Sequence, residues 1–127
     1  MIRVNFFVNT GEKDPDIITS VLKMPPTRSF SFGEVVKSNS DSVIKRPWGL
    51  WEYTFEANSE EELVPEILRF LDSKEQEIKY LKNEENLECV IHLHIHKPKN
   101  RRTGFDLSDL DLKSVADTVS RLSISIL

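Results

Sequence analysis

The chain has 127 residues, 39% of them hydrophobic and 30% charged, with a formal net charge of −4. That length supports a hydrophobic core without disulfides or metal, and the acidic balance argues against a nucleic-acid module, which would carry a basic stripe. Cys89 is the one cysteine; the N-terminal apolar run is too short for a secretory signal, and nothing approaches the roughly 20 apolar residues of a membrane span. The expectation is a single cytoplasmic domain over residues 1–127, a monomer or small homo-oligomer that binds neither nucleic acid nor membrane.

Ile2–Val8 alternates, with Ile2, Val4, Phe6 and Val8 on one face and Arg3, Asn5 and Phe7 on the other, so it is predicted to be a strand that Asn9-Thr10-Gly11 ends. Asp14-Pro15 is a helix start, a carboxylate N-cap followed by proline at the first helical position. That helix runs to about Leu22, buries Ile17, Ile18, Val21 and Leu22, and is stopped by Pro25-Pro26. Arg28–Val36 reads as one strand or two broken at Gly33, Lys37–Asp41 as a polar turn and Ser42–Lys45 as the beginning of a return strand.

Arg46–Ala57 is the longest strand signal, entered through the corner Pro47-Trp48-Gly49. Trp51, Tyr53, Phe55 and Ala57 share one face, Leu50, Glu52, Thr54 and Glu56 the other. Ser59 and Glu62 have capping-box spacing for a second helix, with Leu63, Ile67, Phe70 and Leu71 as its stripe, and Pro65 predicts a kink or a late start. Ser73 and Gln76 repeat that spacing, so the helix is expected to break near Asp72 and restart over Lys74–Lys82. Leu87–His96 is the next strand, Lys97–Gly104 a basic loop, Asp106–Ser120 an acidic lead-in to a helix, and Leu122–Leu127 a closing strand.

Strands that alternate apolar with polar do not suit a parallel sheet covered on both faces. The fold class expected is therefore α+β: a two-layer sandwich with an antiparallel or mixed sheet and helices packed on one face.

The run Asp14-Pro15-Asp16-Ile17-Ile18-Thr19, then Leu22, Pro26-Thr27, Gly33-Glu34 and Trp48-Gly49-Leu50-Trp51, resembles the bacterial "domain of unknown function 4279" family. The order of the remaining elements is also similar, so the resemblance spans nearly the whole chain. It implies no established activity and no catalytic residues. Its signature residues read as structural ones: an N-cap, a helix stop, a turn glycine and core aromatics.

One constellation stands out as chemistry. His92, His94 and His96 fall on one face of their strand, with Cys89, Ile91, Leu93 and Ile95 on the core face. Two histidines at i, i+2 can reach one metal ion. Should the tryptophan strand lie next door, Glu52 would complete a set of His92, His94 and Glu52. His92 and His96, about 13 Å apart along a strand, need not share an ion. The alternative for this face is a solvated polar surface. Cys89 is expected to be an inert, buried hydrophobe. Lys97, Lys99, Arg101 and Arg102 read as solvent-exposed charge, with no aromatic residue interleaved for base stacking. The sequence has no nucleophile elbow, phosphate-binding glycine loop or zinc-protease motif, and marks out no acid–base pair, so it gives no reason to expect an enzyme or a cofactor.

The function expected is a protein-interaction module that uses the open sheet face, namely Arg3, Asn5, Glu52, Thr54, Glu56, His92, His94 and His96, with Ser123 beside them. The acidic balance suits a basic partner, as in an immunity-type protein against a basic toxin. The second reading is a small-ligand or metal-binding domain on the same histidine face.

Overall fold

The structure, a computed structural model, describes residues 2–36, 43–95 and 109–126, with backbone alone at 109, 110 and 126. A five-stranded sheet has the order β2-β5-β1-β6-β7: β1 (Ile2–Gly11), β2 (Arg28–Phe30), β5 (Gly49–Ala57), β6 (Glu88–Ile95) and β7 (Arg121–Ile126). The β1, β2, β5 and β6 pairings are antiparallel, and β6 with β7 is parallel, so the sheet is mixed. A small hairpin of β3 (Val35–Val36) and β4 (Ile44–Lys45) stands between β2 and β5 in the chain. The helices are α1 (Asp16–Leu22), α2 (Glu60–Ser73), α3 (Glu75–Asn83) and α4 (Asp109–Thr118). This is the expected α+β architecture. His96, the Lys97–Gly104 loop and the Lys37–Asp41 turn lie outside the described residues.

One core cluster joins the sheet to the helices. From the strands come Val4, Phe6, Val8, Trp51, Cys89, Ile91 and Leu93, all at 0–1% exposure; Ile18, Leu22, Leu63, Ile67, Leu71, Ile78, Leu81 and Val115 come from the helices. Period-2 strands and period-3.6 helices thus bury one face each against the other. The described helices all contribute to this single layer.

Several local expectations are corrected. β1 continues to Gly11 rather than ending after Val8, because a register shift between Asn9 and Gly11 lets it keep pairing with Gly49. Pro65 does not delay α2. The helix starts at Glu60, where the Ser59 hydroxyl accepts from the Glu62 N–H at 3.3 Å. An exposed proline one turn in gives up a single backbone bond. Ser73 is not an N-cap: it ends α2, donating its hydroxyl to the Phe70 carbonyl at 2.8 Å, and the break falls at Lys74, whose ammonium reaches the Leu22 carbonyl at 2.8 Å. The first helix starts one residue later than Asp14-Pro15 implies, at Asp16 with Pro15 in the cap position, while Asp14 Oδ1 accepts from the Asp16 N–H at 2.9 Å.

Two positions carry stability predictions. α1 ends at Lys23, which adopts the left-handed conformation (φ 56°) that favours glycine. Lys23→Gly removes that Cβ penalty and is expected to stabilise by about 0.5–1 kcal/mol, read as a higher urea midpoint at unchanged slope. At the β1/β5 corner, a Cβ on Gly49 would collide with Thr10 Oγ1 and lie 3.2 Å from the Phe30 carbonyl oxygen. Thr10 is itself buried, and its hydroxyl has no hydrogen-bond partner among the described residues. Gly49→Ala should therefore cost about 1–3 kcal/mol. A Thr10→Ala background should make the same substitution cheaper, a coupling that a double-mutant cycle in urea would measure.

Candidate functional site

The face of the sheet opposite the core carries no described helix. Pairing registers lay its side chains out in rows. Arg28, Glu52, Phe7, Val90 and Arg121 form one; Thr54, Asn5, His92 and Ser123 a second; Glu56, Arg3, His94 and Ser125 a third. The residues named from alternation alone, Arg3, Asn5, Glu52, Thr54, Glu56, His92 and His94, thus lie on one surface, and His96 falls outside the described residues.

A hydrogen-bonded network ties the second and third rows together. Thr54 Oγ1 donates to Asn5 Oδ1 at 3.1 Å, and Asn5 Nδ2 donates to His94 Nε2 at 3.0 Å. An amide nitrogen can only donate, so Nε2 of His94 accepts, which places the ring proton on Nδ1. The His94 ring lies 4.3 Å, centroid to centroid, from His92. Both nitrogens of His92 are used: Ser123 Oγ is 2.6 Å from Nδ1 and Ser125 Oγ 2.9 Å from Nε2. A neutral imidazole accepts at one nitrogen and donates at the other, and a serine hydroxyl can play either part.

This arrangement separates the candidate metal ligands. The tryptophan strand is not the neighbour of the histidine strand, because β1 lies between β5 and β6. At about 4.8 Å per strand, that sets Glu52 about 10 Å from the histidine backbone. The Glu52 carboxylate instead meets Arg28 Nε at 3.2 Å. Among the described residues no group of three His, Cys, Asp or Glu side chains is placed to hold a metal ion.

The face is indented. An open depression of about 260 Å³ has Phe7 and Leu50 as its apolar lining, and Asn5, Arg28, Glu52, His92 and His94 as its polar lining. Alternation places Phe7 and Leu50 on the open face, but an apolar residue on a polar face gives no signal of its own in the sequence. Arg28 was missed because nothing local in a three-residue strand says which strand it joins. At the β2 end Phe30, paired with Leu50, lies under the Arg46 guanidinium at 4.0 Å from the ring centre, a cation–π contact.

The charge is not where the composition suggested. On the open face Arg3, Arg28 and Arg121 stand against Glu52, Glu56 and Glu88, with Arg121 and Glu88 paired at 3.4 Å. The acidic excess sits on the helical side, where Glu60, Glu61 and Glu62 open α2, and Glu75 and Glu77 open α3. Those positions suit the positive end of each helix dipole.

Of the aromatic residues of the tryptophan strand, Trp51 is fully buried, and Tyr53 and Phe55 pack on Phe70 at 5.6 and 5.3 Å. Trp48 is 49% exposed. No described helix is long and apolar enough to cross a membrane.

Fold and face together define a two-layer α+β architecture with one polar sheet surface that no described helix covers. The chain belongs to the family described as Domain of unknown function (DUF4279), whose model matches residues 1–127. Comparison with curated proteins and with solved structures finds no match.

Proposed function

We propose that this domain is a binding module for another protein and that its working surface is the open face of the sheet. The observation that supports the reading is a sheet face without a described helix, on which donors, acceptors, paired charges and two apolar side chains gather around one depression. At about 260 Å³ and open to solvent, that depression falls below the range of enclosed small-molecule pockets, roughly 300–1,000 Å³, and suits one anchoring side chain of a protein partner. The balanced charge of the face asks for a partner of mixed polarity. A strongly basic partner, such as a basic toxin, would find its complement on α2 and α3 instead. The metal-binding reading is the weaker one, since it would require His92 to give up a serine hydroxyl. A single, buried cysteine suits a reducing, cytoplasmic setting.

The test is affinity capture in the native host, followed by titration of the purified partner against wild type and a Glu52→Lys/His94→Glu variant. Near-UV circular dichroism shows whether the variant keeps its packing. Affinity reduced by at least about tenfold in a folded variant is the expected result, equivalent to about 1.4 kcal/mol. Equal binding by both proteins would overturn the assignment.

A further inference from the structure

The two edges of the sheet are built differently. β2 is blunted in the ways that prevent strand-to-strand association: it is three residues long, begins at the charged Arg28 and follows Pro25-Pro26. β7 shares only the charged first residue, Arg121. It runs for six residues, and from Leu122 to Ile126 contains no charge, proline or glycine. Among the described strands it pairs with β6 alone.

The direction of its free backbone groups follows from one bond and the register. The Cys89 carbonyl accepts from the Ser120 N–H at 2.8 Å, so the odd-numbered residues of β6 turn toward β7, and with Ile91 opposite Leu122 they bond to Arg121, Ser123 and Ser125. Leu122 and Ile124 therefore turn their N–H and C=O groups outward. Beside this edge Leu112 and Ile124 are each 47% exposed, and a groove of about 230 Å³ between α4 and β7 is lined by Leu112, Val115, Ala116 and Leu122.

We propose that β7 is a homodimerisation edge, on which a second copy of this chain lays its own β7 antiparallel across a two-fold axis at Ser123, continuing the sheet from one copy into the other. The period-2 pattern Leu122-Ser123-Ile124-Ser125 is self-complementary about that axis. Ser123 faces Ser123 of the second copy, Arg121 faces its Ser125, and Leu122 faces its Ile124, apolar against apolar on the helical side. The two Arg121 side chains fall at opposite ends of the ladder, whereas a parallel arrangement would set them side by side. An isologous contact of this kind closes at the dimer.

Sedimentation velocity of the full chain over a roughly hundredfold concentration range tests it, with Ile124→Lys and Ile124→Pro as edge variants. Ile124→Pro removes an outward N–H and no β6–β7 bond, and Ile124→Lys adds a charge at a half-exposed position. Wild type should be dimeric, and each folded edge variant should dissociate at least about tenfold more readily, while Glu52→Lys/His94→Glu stays dimeric. A wild type that remains monomeric throughout would overturn the proposal. So would a dimer that survives both edge variants, or one lost only with the open-face variant. The last outcome would place self-association on the surface assigned above to another protein.

Discussion

Trp51→Ala is expected to cost about 3–5 kcal/mol, the range for deleting a buried aromatic side chain. Trp51 is fully buried, and its ring meets Phe6 edge to face with centroids 6.2 Å apart. Its Nε1 donates to Thr19 Oγ1 at 3.0 Å, which fastens α1 to the sheet. The substitution empties the largest side chain in the core and leaves the Thr19 hydroxyl without this partner, so the cavity and hydrogen-bond losses add. Against a typical stability of about 5–15 kcal/mol, the variant would sit near the edge of folding. Trp51→Phe keeps most of the ring volume but not the donor and should cost about 1–2 kcal/mol. Trp48→Ala, at an exposed position, should stay within about 0.5 kcal/mol. Urea unfolding followed by near-UV circular dichroism would rank the three. A loss below about 1 kcal/mol for Trp51→Ala would contradict the core described here.

The second large effect is alkaline destabilisation through Cys89. Burial beneath the helices pushes its thiol up to about 12; the negative charge of Glu88 adds to the shift and Lys82 opposes it. In the unfolded chain a cysteine ionises near 8.5. Below that pH both states hold the proton, and Cys89 gives no pH dependence. Between about 9 and 12 the unfolded chain releases a proton that the folded one keeps, so stability falls by up to about 1.4 kcal/mol per pH unit. Near pH 10.5 wild type should therefore have lost about 2 kcal/mol more, relative to its value at pH 8, than a Cys89→Ala variant. Lysine and tyrosine titrations are common to both proteins and cancel in that comparison. Parallel urea midpoints for the two proteins from pH 8 to 10.5 would count against the buried thiol. So would rapid modification of native wild type by a thiol reagent, because the thiolate is the reactive form.

Much of the candidate site was legible because a strand's period is local. Alternation in Ile2–Val8, Arg46–Ala57 and Leu87–His96 sorts core from open face without any knowledge of neighbours, and it placed Asn5, Glu52 and His92 correctly on one surface. Capping was less secure. Ser59 caps α2 as its spacing implies, but Ser73 has the same spacing and bonds backward to Phe70, because a short hydroxyl chooses between two nearby partners by backbone geometry that spacing does not encode. Arg28, Phe7 and Leu50 became site residues only once β2, β5 and β1 were laid side by side.

Local pattern along the chain settles most of which residues are inside, where most helices begin, that helices cover one sheet face, and the family. Tertiary structure alone decided strand order, the parallel pairing of β7, and the separation of Glu52 from the histidines by β1. It also decided where the negative charge collects, on α2 and α3 rather than on the open face. The division has one cause. Burial preference and periodicity are properties of a residue and its near neighbours, whereas strand adjacency is a choice among long-range pairings that present the same apolar face to the core.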